Sequence, residues 1–147
     1  MHSLKTQTNK VMAKFQGNRY LAILFILLSV AWVGVLFAES SQPPAKIINE
    51  ISGLDKVAHF LAFSVLASLL CIARLSFLGV RPIPLFSLPL LLSTLVGIVE
   101  EVYQMTVPLR AGSPFDLLAD ICGAVFAVVI FNRVLSLMHS NSRVTSE

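Results

Sequence analysis

The chain has 147 residues, 56% of them hydrophobic and only 13% charged, with a mean hydropathy of +0.81. That profile excludes an ordinary water-soluble domain and indicates a membrane protein. The formal charge of +3 does not point to nucleic acid, because the basic residues are scattered and never interleave with aromatics.

Residues 1–18 are polar and lack apolar periodicity, which marks a cytoplasmic N-terminal tail. A first apolar run at 20–37 predicts a helix. Its 18 residues exceed the roughly 7–15 of a signal peptide's apolar region, so the helix is expected to be retained rather than cleaved after Ala38. Ser-Ser-Gln-Pro-Pro at 40–44 ends it, and 46–51 can form a short amphipathic turn at the membrane surface. Ser52 and Asp55 resemble a capping box opening a second helix at 57–74.

Pro82 and Pro84 separate that helix from a third at about 83–104, in which Pro89 is expected to introduce a kink. The fourth, at 116–133, is interrupted by Asp120 and carries Ala119, Gly123 and Ala127 at a four-residue spacing suited to close helix packing in lipid. Residues 136–147 form a cytoplasmic C-terminal tail, leaving 19–135 as the membrane domain. Cys71 and Cys122 fall inside spans and are read as packing residues rather than a disulfide or metal pair.

Each apolar run approaches the roughly 20 residues that cross a hydrocarbon core. Lys5, Lys10, Lys14 and Arg19 precede the first run, Arg74 and Arg81 flank the second connection, and Arg133 and Arg143 follow the fourth. The other two connections have no excess of positive charge. The positive-inside rule therefore predicts an all-α, four-transmembrane-helix bundle with both termini cytoplasmic.

Counting from the cytoplasmic basic residues places the polar groups in depth. Asp120 is thirteen residues from Arg133, roughly 20 Å; His59 is fifteen from Arg74, roughly 22 Å; Glu100 is nineteen from Arg81, roughly 28 Å. Three helices thus bring polar residues to the outer part of the bilayer, where an isolated charge costs about 2.5–3.5 kcal/mol. They should find one another.

His59, Glu100, Glu101, Arg110 and Asp120 form the expected cluster. Asp55 shares a face with His59, Gln104 shares one with Glu100, and Asp116 lies on the ridge of Asp120. Lys56 reads most simply as a snorkelling anchor, Asp55 equally as cap or ligand, and one of Glu100 and Glu101 as facing headgroups. No close-spaced histidines, serine elbow or glycine-rich phosphate loop is present, so neither a metal nor another cofactor is expected.

The ordered set Asp55-Lys56-x-x-His59, then Glu101-x-x-Gln104, then Arg110 followed by Asp116, Asp120 and Gly123, resembles the VanZ-like membrane proteins. The resemblance covers residues 52–127. It implies Asn where this chain has Asp120, so the departure adds a negative charge. The founding member of that family is associated with resistance to a lipid-tailed glycopeptide antibiotic acting at the outer face of the cytoplasmic membrane. The resemblance therefore implies a multi-pass protein of the bacterial cytoplasmic (inner) membrane concerned with the cell envelope.

Three functions fit these residues. The first is a binding module in which Arg110, Lys56 and His59 hold an anionic lipid headgroup or lipid-linked envelope precursor, with Asp55, Glu101, Gln104, Asp116 and Asp120 completing the pocket. The second is an enzyme using His59 and Glu101 as acid and base on such a lipid. The third is an assembly protein whose small-residue stripe meets a membrane-protein partner or a second copy.

Overall fold

Four helices account for most of the computed structural model, which describes residues 17–43, 53–79, 81–108, 110 and 112–143, with side chains through residue 138. They are α1 (Arg19–Ser40), α2 (Leu54–Leu78), α3 (Leu88–Gln104) and α4 (Pro114–Arg143). The described residues contain no strand. Helices α1, α2 and α4 through Met138 are long and apolar enough to cross a membrane. Helix α3, with 17 residues, extends about 26 Å.

Local chemistry explains the helix starts. The Asn18 side chain accepts the Leu21 N–H at 3.0 Å and caps α1. Gly53, at φ 84°, turns the chain into α2 without a side-chain cap. Ser52, the other half of the expected capping box, and the amphipathic turn at 46–51 lie outside the described residues.

Helix α3 begins five residues later than the apolar run predicts, because 81–84 is non-helical and holds Pro82 and Pro84. Pro89 therefore falls in the first turn of α3 rather than inside it. Its missing N–H costs nothing there, and the expected kink has no cause. Asn132 on α4 pins the connection before α3, accepting the Ile83 N–H at 2.8 Å and donating to the Ile83 carbonyl at 2.7 Å.

Packing centres on α2, which lies against α4 most extensively and against α1 and α3 as well. Phe63 and Leu66 of α2 meet Leu36 of α1, with Trp32 and Val33 beside them. Ala67 of α2 packs with Leu90, Ala124 and Ala127, while Cys71 and Leu75 meet Ile83, Val128 and Leu135. Cys71 is thus a core residue, whereas Cys122 is exposed on α4; both are free thiols. Much of the remaining helix surface is apolar: Leu24 and Leu27 of α1, Leu91, Leu95 and Val102 of α3, and Phe126 and Ile130 of α4 all point outward. Such a surface suits lipid rather than water.

Gly123 marks the closest approach of α2 and α4. A Cβ there would collide with the Phe60 carbonyl oxygen and lie 3.0 Å from Ser64 Oγ, which itself donates to the Gly123 carbonyl at 3.1 Å. The small residues at 123 and 127 are therefore consumed inside the chain. We expect Gly123→Ala to destabilise by about 1–3 kcal/mol through overpacking against backbone. Gly34→Ala, where a Cβ meets nothing within 4 Å, should be neutral or stabilising by up to about 1 kcal/mol. Unfolding titrations with SDS in mixed micelles would measure both.

Candidate functional site

At one end of the bundle, side chains from α1, α2 and α3, with Arg110 from the connection before α4, line a cavity of about 250 Å³. Trp32, Val35, Leu36, Ala62 and Phe63 form its apolar wall, and Glu39, Ser40, Asp55, His59, Glu100, Gln104 and Arg110 its polar part. The helical repeat produces this division: Asp55, His59 and Phe63 recur every four residues along α2, as do Glu100 and Gln104 on α3. Trp32, the only tryptophan, is fixed by its indole N–H donating to the Ala62 carbonyl at 3.0 Å.

The central contact joins α2 to α4. His59 Nδ1 lies 2.9 Å from Asp120 Oδ1, and Asp120 is completely buried. The Phe63 ring lies nearly parallel to the imidazole, at 6.5 Å between centroids. Asp120 fits beneath α3 because position 97 is glycine: a Cβ there would stand 2.9 Å from Asp120 Oδ2.

Around that pair lie three further polar groups. Glu100 Oε1 accepts from Ser40 Oγ at 2.5 Å and from Gln104 Nε2 at 3.2 Å, so α3 is joined to the end of α1. Glu101 Oε2 accepts the Ser113 N–H at 2.6 Å, holding the approach to α4. Lys56 Nζ lies 2.8 Å from Asp55 and 3.1 Å from Asp116, bridging α2 and the start of α4. Lys56 thus does more than snorkel. Because it is partly exposed, each of these pairs contributes modestly, about 0–1 kcal/mol.

Both Glu100 and Glu101 are buried, which corrects the expectation that one would face headgroups. They are neighbours but diverge, one turned to Ser40 and the other to Ser113. Arg110 also differs from a freely presented cation. It lines the cavity, yet its Nε donates to the Gln42 carbonyl at 2.9 Å and its Nη2 to the Glu39 carbonyl at 3.0 Å. A cation over the last carbonyls of α1 is favourable for the helix dipole as well as for hydrogen bonding. Tyr103 adds to this clasp, its hydroxyl 2.8 Å from Ser41 Oγ and its ring 5.4 Å from that of Phe37.

Sequence reasoning brought His59, Glu100 and Asp120 into one cluster but gave no site role to Ser40, Trp32, Gly97 or Ser113. Ser40 looked like part of a helix-ending turn, and nothing local pairs it with Glu100 sixty residues later. Gly97 offered a weak signal, a glycine one turn before two acids on an apolar helix.

The geometry also creates sets of ligand atoms that no local spacing announces. One nitrogen or oxygen each from His59, Glu100 and Asp120 lie within 4.8 Å of one another, and the same holds for His59, Glu101 and Asp116. A family model described as VanZ/LLP1 matches residues 24–137, a range that contains all of these side chains. No curated protein and no solved structure matches the chain.

Arg110→Ala removes two hydrogen bonds from a charged donor, so local opening at the end of α1 should become easier by about 1–3 kcal/mol. Hydrogen–deuterium exchange should quicken at Ser41 and Gln42, whose N–H groups bond the Phe37 and Glu39 carbonyls, while α4 is unchanged. Equal protection in both proteins would contradict the clasp.

Proposed function

The chain belongs to the VanZ/LLP1 family, and from that premise we propose that its cavity binds the headgroup and upper chain of an anionic lipid or lipid-linked envelope precursor. The observation that carries this reading is the two-sided lining. A lipid segment suits the wall of Trp32, Leu36 and Phe63, while a headgroup suits the end bearing Arg110, His59 and Gln104. Arg110 supplies a cation fixed in place by the Glu39 and Gln42 carbonyls, with further N–H donors for a phosphate or carboxylate. Asp55 and Glu39 accept from hydroxyl or amine groups of the same headgroup.

The proposal includes a membrane arrangement: four spans, both termini cytoplasmic and the cavity in the outer leaflet of the bacterial cytoplasmic membrane. Support for α3 as a span comes from its outward residues, which are apolar along its length from Leu88 to Val102. Support for the orientation comes from Arg19, Arg74, Arg81 and Arg133, all placed away from the site in the chain's charge pattern.

The His59–Asp120 pair favours a second reading. A carboxylate that orients an imidazole is also the arrangement of a general base, here toward a lipid substrate and with Glu101 nearby. Turnover that survived both His59→Ala and Glu101→Gln would remove it.

For the binding reading, native mass spectrometry of folded wild type and Arg110→Ala should show a copurifying lipid, reduced about tenfold or more in the variant. Brominated phosphatidylglycerol should quench Trp32 in the wild type and do so less in the variant. Equal lipid content in both proteins, with no quenching, would overturn it.

A further inference from the structure

Three buried carboxylates each carry an oxygen without a hydrogen-bond partner among the described residues: Glu100 Oε2, Glu101 Oε1 and Asp120 Oδ2. Their side chains are more than nine-tenths buried, at 4%, 7% and 0% exposure. Native proteins satisfy nearly all such atoms, because a bare carboxylate oxygen in a low-dielectric interior is among the costliest groups to bury. Each of the three carboxylates belongs, with His59, to a set of ligand atoms lying within 4.8 Å of one another.

We propose that His59, Glu100 and Asp120 form a binding site for one divalent transition-metal ion, held between α2, α3 and α4. One imidazole nitrogen with two carboxylate oxygens suits zinc, manganese or iron(II), and two carboxylates balance the charge of a dication. Metal–ligand bonds of about 2.0–2.2 Å place neighbouring ligand atoms roughly 3–3.5 Å apart. His59 Nδ1 and Asp120 Oδ1 already stand 2.9 Å apart, and all three ligand atoms lie within 4.8 Å.

The surroundings are those of a prepared ligand set. Ser40 and Gln104 hold Glu100 by Oε1 and leave Oε2 for the ion, an orienting role that commonly accompanies metal ligands. Gly97 makes room for the Asp120 carboxylate between α3 and α4. The competing set of His59, Glu101 and Asp116 is weaker, since Asp116 is paired with the Lys56 ammonium. Sequence alone pointed away from a metal because its ligands come singly from three helices. Three protein ligands also leave coordination positions open, and His59 and Glu100 both line the cavity. The inference stands whether or not a lipid binds there.

The test uses the full chain in detergent, stripped with chelator and lipid-free, in a His2→Ala/His139→Ala background that leaves His59 as the only imidazole. Titration with Mn²⁺ should bind one ion per chain by electron paramagnetic resonance, with a nitrogen modulation from the imidazole, and Zn²⁺ should displace it. Glu100→Gln and Asp120→Asn should each weaken Mn²⁺ by at least about tenfold, and Glu101→Gln by under about threefold. A folded protein that binds neither ion stoichiometrically, or that binds Mn²⁺ without nitrogen modulation, would overturn the proposal. Because no lipid is added, the result does not depend on headgroup binding.

Discussion

The contact between His59 and the fully buried Asp120 sets the terms for the rest of the structure. An acidic side chain on an apolar helix can be accommodated in lipid only if other polar groups reach it. That requirement brings α2 against α4 at Gly123, brings α3 over Asp120 at Gly97, and places Glu100 and Glu101 at the same end of the bundle. Glycines at the two crossings and carboxylates beside them express one constraint. Backbones must approach closely where the polar groups meet.

Helix α1 answers a different need. Most of its surface is apolar and outward, but its last turn is held by Ser40 to Glu100, Ser41 to Tyr103, and Arg110 to the Glu39 and Gln42 carbonyls. The end of α1 therefore closes one side of the cavity, while Trp32 and Leu36 supply its apolar wall. A hydrophobic helix with a polar final turn converts a cleft between α2 and α3 into a pocket with two chemistries. The proposed headgroup binding and the proposed ion binding would draw on the same division, the first on the cavity and the second on the carboxylates behind it.

Much of this was legible in the sequence because lipid imposes simple rules. Apolar runs located the helices, and the penalty on isolated charge groups His59, Glu100 and Asp120. What escaped was whatever depends on rotation about a helix axis or on long-range pairing. Spacing alone assigned Glu101 or Glu100 to the headgroups, whereas α3 is turned so that both are buried. Arg110 looked like a free cation because the carbonyls that hold it belong to backbone 68 and 71 residues away. Pro89 looked like a kink because the start of α3 depends on the connection that Asn132 pins from α4.

A double-mutant cycle on His59 and Asp120, read by unfolding titrations of the metal-free protein, tests the central claim most directly. If the two side chains meet in the bundle interior, His59→Ala and Asp120→Ala should be strongly non-additive, with a coupling of about 1.5–3 kcal/mol. Additive losses within about 0.5 kcal/mol would mean the pair does not form in the folded protein. The convergence of the four helices on one polar site would then be contradicted.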